Sequence, residues 1–368
     1  MNELDGVLAA AEDWHSRGVD FALATVVGVR GSTYRGLAAR QLVGADGAGV
    51  GTVSGGCLDQ DLHRVASQVM QGGKPQRVEF DLTADDEAVW GWGIGCNGAT
   101  ELIVEPAASV VEFVSALRTA QRPVVVAHHL GEQLGRRSIV DRSTGGALAE
   151  AATRALGEGW HRTVEVDGEL LMLEVLGAPR RLVVCGAGHD AAPLVRLGAQ
   201  LGYEPVVVDD RRAFLSSERF PEATQMVHVS PGEVGSAVDL DSSACVVIMS
   251  HNYLRDLDYL GASLGRGASY IGVLGPGERL SRLLTDLEAR GIEPEEADLV
   301  ALHGPAGLDL GAEGPVEIAW SILAEIMAVR RRREGGFLRD RKGPEVLRRY
   351  DESGADGRLD STAQEEIR

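Results

Sequence analysis

Several common protein classes are excluded by what this chain has little of. Cysteine occurs four times in 368 residues, as Cys57, Cys96, Cys185 and Cys245. They are too few and too scattered for a disulfide framework, and a reducing cytoplasm is the setting they imply. No C-x-x-C pair is present, so a zinc site of that kind is not expected. No apolar run approaches the length of a membrane-spanning helix. The opening MNELDGVLAA lacks the basic segment and apolar core of a secretory signal. Basic residues are outnumbered, with 36 Lys and Arg against 55 Asp and Glu, for a net charge of -19. So acidic a surface repels phosphate backbones and anionic lipid, which argues against nucleic-acid and membrane partners. Aromatic residues make up only 5%.

Glycine is abundant, at 47 residues, with 44% hydrophobic and 25% charged residues overall. This is the composition of a globular α/β protein with many glycine-bearing loops. The length predicts two domains. Apolar spacing predicts a helix over 3–16, ended by Gly18, and a buried strand over 21–29. Residues 31–43 read as a loop running into a strand, and 51–60 as a glycine-rich turn leading into a helix that ends near Met70. A strand at 77–82, a second glycine-rich turn at 90–99 and a strand at 101–106 follow. Helices are expected at 108–120 and 144–156, with a strand at 124–129 between them. Residues 163–176 read as a hairpin about Asp167-Gly168, a favoured two-residue turn.

After 177–180 the order becomes strand, helix, strand: 182–185, a helix to Leu201, and 205–210. Further strands are expected at 225–228, 245–250 and 269–274, and a last helix at 314–330. The alternation argues for a parallel sheet. The predicted organisation is a mixed α/β N-terminal domain over 1–178, a Rossmann-like C-terminal domain with a mainly parallel sheet over 179–332, and a charged tail over 333–368.

LVVCGAGHDA places Gly186, Gly188 and Ala191 in a G-x-G-x-x-A arrangement directly after a strand. The first glycine allows a tight turn, the second lets backbone approach a pyrophosphate, and the small third residue lets helix and strand pack closely. The helix N-terminus would face the anion. Asp209, 23 residues after Gly186, ends the next strand, where an acidic residue holds a ribose diol. His189 at the helix start and Arg211 and Arg212 just after Asp209 would suit a phosphate, or would simply be solvated. Cys185 and Cys245 lie inside apolar strands and read as small buried hydrophobes.

The other two cysteines are flanked by glycine: Cys57 in SGGCLD and Cys96 in IGCNG. A thiol on such a turn is open to a ligand, and the pair, or one of them, would address a metal or a sulfur-bearing cofactor. Two ordinary turn cysteines are the alternative. Ser32, Arg35 and Arg40 lie in a polar stretch of the same domain and would bind an anionic group, if they are more than solvated.

GSTYRGLAARQLV, GTVSGGCLD and GWGIGCNGATELIVEP in the first half, and LVVCGAGHDA, VVVDDR, MSHNYLRDLDYL, YIGVLGP and HGPAGLDLGAEGPVEIAWSILAEI in the second, together resemble the XdhC/CoxI family over roughly residues 5–330. The resemblance implies an accessory protein for molybdenum hydroxylases such as xanthine dehydrogenase and carbon monoxide dehydrogenase. Such a protein would bind molybdenum cofactor, as plain molybdopterin or its cytidine dinucleotide form, protect it during sulfuration and insert it. The implied partners are the apo-hydroxylase, a cysteine desulfurase and a second copy in a homodimer. Carried over by motif, Cys57 and Cys96 would contact molybdenum or its sulfur, with Ser32, Arg35, Ser54, Gly55, Gly56, Asn97 and Gly98 around them. In the second half Gly186, Gly188, His189, Asp209, Arg211, His251, Asp256, His303, Gly307, Asp309 and Glu317 would line the crevice at the strand ends. The chain departs from the family pattern at Tyr34, Ala38 and Asn252.

Three functions remain open on the residues. One is a non-catalytic cofactor chaperone. The second is an NAD(P)-dependent oxidoreductase built on Gly186, Gly188 and Asp209, with His251 or His303 as acid–base residue. The third is a regulatory nucleotide sensor. The cysteine-bearing turns favour the first, because hydride transfer does not require them.

Overall fold

The computed structural model describes residues 3–81, 98–120, 123–140, 144–177 and 180–340. The expected turn at 90–99 lies almost entirely outside these residues, as does the tail beyond 340. The chain divides between Gly177 and Ala178 into two compact units.

The N-terminal unit opens with α1 (Glu3–Ser16), which buries Val7, Leu8 and Ala11 and is stopped by Gly18 at φ 69°. Then come β1 (Phe21–Gly31), β2 (Arg40–Gly44), β3 (Gly49–Gly51), α2 (Asp59–Gly72), β4 (Gln76–Asp81), β5 (Gly98–Pro106) and α3 (Ala107–Thr119). The five strands form an antiparallel sheet in the order β3-β2-β1-β5-β4. Central β1 is covered on both faces. Phe21 and Leu23 pack against α1 and α3, while Ala22, Ala24 and Val26 pack against α2. This two-sided burial explains why FALATVV is apolar at every position but Thr25 instead of alternating. Each large side chain so buried contributes about 2 kcal/mol.

The same unit holds a second antiparallel sheet, built from β6 (Val124–His129), β7 (Arg137–Val140), β8 (Arg162–Val166) and β9 (Glu169–Leu176) in the order β7-β6-β9-β8. The helix α4 (Gly146–Glu158) covers it with Ala151, Ala152 and Ala155. The hairpin turns where expected: Asp167 and Gly168 take φ 52° and 78°, the left-handed pair that a tight antiparallel turn requires. Strand β7 has no counterpart in the sequence reading.

Arg40 corrects an expectation. It does not lie in an open anion-binding loop but begins β2, with its side chain only 3% exposed. Its guanidinium forms a bidentate pair with Glu174 of β9, at 2.7 and 2.5 Å, and so joins the two sheets. His128 Nε2 lies 2.9 Å from the same carboxylate. Glu105 pairs with Arg137 beside them, and Arg137 stacks over Phe113 at 4.2 Å.

The C-terminal unit contains β10 (Arg180–Cys185), α5 (Ala191–Gln200), β11 (Tyr203–Asp209), β12 (Gln225–His228), α6 (Val234–Ala237) and β13 (Ala244–Ile248). It continues with α7 (Tyr253–Ser263), β14 (Tyr270–Val273), α8 (Gly277–Ala289), α9 (Glu296–Ala301), β15 (Leu302–His303) and α10 (Gly314–Arg330). All six strands are parallel, in the order β12-β11-β10-β13-β14-β15. The helices α5 and α10 cover one face, and α7 and α8 the other. Cys185 and Cys245 sit in this core, and burial pushes both thiols up. The chain runs outward from β10 through β11 to β12, then returns to place β13 on the other side of β10. That reversal is the switch point at which open α/β sheets bind ligands. Among the described residues no helix is long and apolar enough to cross a membrane.

Candidate functional site

In the N-terminal unit, the end of β1, the turn before α2 and the start of β5 border a small, partly open hollow, whose lining includes Ser32, Tyr34, Ser54, Cys57, Gly98 and Thr100. Local chemistry builds it. Ser54 Oγ accepts from the N–H of Gly56, whose φ of 103° makes the turn that presents Cys57. Gly98 must lack a side chain, since a Cβ there would stand 2.5 Å from the Arg30 carbonyl oxygen and closer still to that of Ser32. Gly55 lies against the Tyr34 ring, where a Cβ would meet it at 3.6 Å. The Cys57 thiol is free and half-buried. Thr100 is 7% exposed and lines the hollow from the start of β5. Arg35 follows the hollow in sequence and is half-buried. The structure thus brings Ser32, Ser54, Cys57 and Gly98 together, whereas Cys96 and Asn97 lie outside the described residues. No group of three or more His, Cys, Asp or Glu is placed to hold a metal ion among the described residues.

In the C-terminal unit the sequence-selected residues gather at the C-terminal ends of the strands, in three groups. The first surrounds the glycine turn. Gly186 has φ 116°, and a Cβ there would be 2.7 Å from the Ser250 Cα, so the two loops of the switch point touch through backbone. His251, also left-handed at φ 57°, places Nε2 2.6 Å from Asp190 at the start of α5. Asp256 is buried and accepts from Ser250 N–H at 3.1 Å, Ser250 Oγ at 2.5 Å and Arg279 at 2.5 Å. His189 is exposed beside this group.

The second group centres on Asp209. Its Oδ2 accepts from Ala187 N–H at 2.7 Å and Arg211 Nη2 at 2.8 Å, and its Oδ1 from Arg211 N–H and Nε, both at 2.8 Å. Burial alone would raise this carboxyl. The bonds from Arg211 and from the two backbone N–H groups outweigh it and bring the pKa down to about 2. All four acceptor positions are therefore engaged within the chain. Arg211 also stacks on Phe214 at 4.0 Å.

The third group lies at the ends of β14 and β15. His303 stacks on Tyr270 with ring centroids 4.7 Å apart. Glu325 of α10 accepts from Tyr270 OH at 2.6 Å and Gly307 N–H at 2.8 Å, and its other oxygen is 3.4 Å from His303 Nδ1. Burial would raise Glu325, but the bonds from His303, Tyr270 and Gly307 hold it below the usual range. Asp309 is exposed, and Glu317 is exposed while accepting the Glu313 N–H at 2.7 Å, so it completes the start of α10. Sequence reasoning missed Asp190, Arg279, Tyr270, Glu325 and Thr100. Asp190 carried a signal, an acidic residue inside a turn read as anion-binding. The others did not, because their partners are fixed only by folding.

These units define a two-part α/β protein: a mixed antiparallel part with a cysteine-bearing hollow, and a Rossmann domain. The description "XdhC and CoxI family" matches residues 14–81 and "XdhC Rossmann domain" matches residues 182–326, together more than half of the chain. The chain belongs to the XdhC/CoxI family. It is 29% identical over 325 residues to a protein of Bacillus subtilis named as a probable xanthine dehydrogenase subunit, covering 84% of this chain and 93% of that one. It is 24% identical over 313 residues to the molybdenum cofactor insertion chaperone PaoD of Escherichia coli, covering 85% and 84%. A crystal structure of a xanthine dehydrogenase from Bacillus halodurans superposes with a TM-score of 0.74 at 28% identity, covering 91% of this chain and 97% of that one.

Proposed function

We propose that this protein is an accessory protein for a molybdenum hydroxylase of the xanthine dehydrogenase or carbon monoxide dehydrogenase type, and that it binds molybdenum cofactor, supports its sulfuration and inserts it into the apo-enzyme. The observation that carries this reading is the hollow around Cys57. A half-buried free thiol and the hydroxyl-bearing residues Ser32, Ser54 and Thr100 stand together on glycine turns, in a chain related to an insertion chaperone. The donor set fits the group: a soft thiol suits molybdenum or its terminal sulfur, and the hydroxyls and N–H groups suit oxygen atoms. When bound, the cofactor supplies the redox-active metal that the hydroxylase uses. This chain's residues would hold it and keep water away, with Cys57 as the contact to the metal end and Ser32, Ser54 and Thr100 as hydrogen-bond partners. Arg35 and Cys96 belong to the same proposed region. The partners would be the apo-hydroxylase, a cysteine desulfurase and a second copy of the chain, in the cytoplasm.

The test is co-expression with the cofactor synthesis machinery, followed by molybdenum and pterin analysis of the purified protein. Wild type should carry both in equal amounts, and Cys57→Ala should lose most of both while keeping its melting temperature. Wild type without pterin, or unchanged content in both Cys57→Ala and Cys96→Ala, would sink the reading. The oxidoreductase alternative is weaker on the geometry, because Asp209 has no acceptor position left for a ribose diol.

A further inference from the structure

The glycine turn after β10 has the sequence of a pyrophosphate cradle. Such a cradle needs open space at its second glycine, unengaged N–H groups at the helix start, and no competing anion. The first and the last of these conditions fail here through named contacts. A Cβ on Gly188 would stand 2.5 Å from Asp190 Oδ1, so the carboxylate already covers the face that the missing side chain leaves open. Part of the turn's backbone is engaged within the chain: Gly186 donates to Val208 O at 2.8 Å, Ala187 to Asp209 at 2.7 Å and Ala191 to Gly188 O at 3.3 Å. Pro193, in the first turn of α5, has no N–H to offer. The competing anion is Asp190 itself, and it is held in place. Its Oδ2 lies 2.6 Å from His251 Nε2, and His251 is fixed at φ 57° just before Asn252, whose side chain caps α7 by accepting from Arg255 N–H at 3.1 Å.

We infer that Asp190, latched by His251, is the residue that closes this Rossmann turn to nucleotide pyrophosphates, so that the fingerprint serves packing between the β10 and β13 loops and not dinucleotide binding. The second glycine gives room to the protein's own carboxylate, and the first allows the Ser250 backbone to approach. The inference goes beyond the chaperone reading and does not depend on it, because every residue in it belongs to the C-terminal unit.

The test is titration of the full chain with NADH, followed by fluorescence and calorimetry, for wild type, Asp190→Ala, Asp190→Asn and Asp190→Glu. Wild type and Asp190→Glu should show no saturable binding at millimolar NADH. Asp190→Ala and the near-isosteric Asp190→Asn should bind roughly tenfold tighter or more, once the like charge is gone. Adding Gly188→Val to Asp190→Asn should abolish the gain and place it at this turn. Thermal melts of each variant establish that it is folded, and Asp190→Asn keeps the test readable if the alanine variant is not. Wild-type binding as tight as that of Asp190→Asn would overturn the inference. So would a folded Asp190→Asn that remains blind to NADH, or a gain that survives Gly188→Val. Cofactor content at Cys57 is measured separately, so failure of either idea leaves the other standing.

Discussion

Asp209 ends β11 with both carboxylate oxygens engaged by Ala187 and Arg211. The position was legible in the sequence, since an acidic residue was due at the end of the second strand. Its use was not, because a string of residues does not show that Arg211 folds back onto it. Its carboxyl is brought from 3.8 to about 2 in the folded chain. The stabilisation is therefore fully present above the unfolded value and is lost as pH falls through the folded one. Asp209→Asn should cost about 2 kcal/mol at neutral pH. Urea melts of the two proteins should differ at pH 7 and converge near pH 2. A cost that persists at pH 2 would mean that packing, not charge, is what Asp209 supplies. Ala38 shows a second residue-level effect. It stands at a departure from the family's pattern and adopts φ 66°, a left-handed conformation disfavoured for any residue with a side chain.

At the scale of elements, the apolar runs and turn residues were read directly. The strand at β1, the Asp167-Gly168 hairpin and the final helix α10 follow from local pattern, and they stand where expected. Strand β7 escaped because RSIV is short and offers no periodicity to count. The ionic cluster joining the two N-terminal sheets escaped for a different reason. Arg40 and Glu174 are 134 residues apart, and only the docking of β2 and β9 buries them together. His128 belongs to that cluster, and burial pushes it down to about 4 in spite of its bond to Glu174. The unfolded chain then takes up a proton that the folded one refuses, so stability falls as pH drops from about 6.5 to about 4, by up to about 3 kcal/mol. His128→Gln should flatten this part of the profile. Denaturant titrations of both proteins across that range provide the check, and parallel profiles would show that His128 is not the titrating group.

At the scale of the molecule, each unit has its own cores: two antiparallel sheets with their helices before Gly177, and one parallel sheet with helices on both faces after it. Buried apolar area is local to each, so residues 178–340 expressed alone should unfold as one cooperative transition. Circular dichroism through a thermal ramp would measure this. A non-cooperative ramp would mean that the second unit needs the first.

The sequence by itself determined the α/β class, most of the long elements, the switch to strand–helix alternation after residue 180 and the membership in a family, because these rest on local periodicity, turn chemistry and contiguous motifs. It also placed Cys57 on an exposed-type turn. Only the tertiary structure decided what the chemistry-bearing residues face. It sent Arg40 into a buried ion pair, gave Cys57 a hydroxyl-lined hollow with Thr100, used all of Asp209 internally and set Asp190 over Gly188. The physical reason is the same each time. A charged or polar group takes the partner that folding brings to it: Glu174 is 134 residues from Arg40 and Ala187 22 residues from Asp209, and even Arg211, two residues from Asp209, meets it only because the chain folds back.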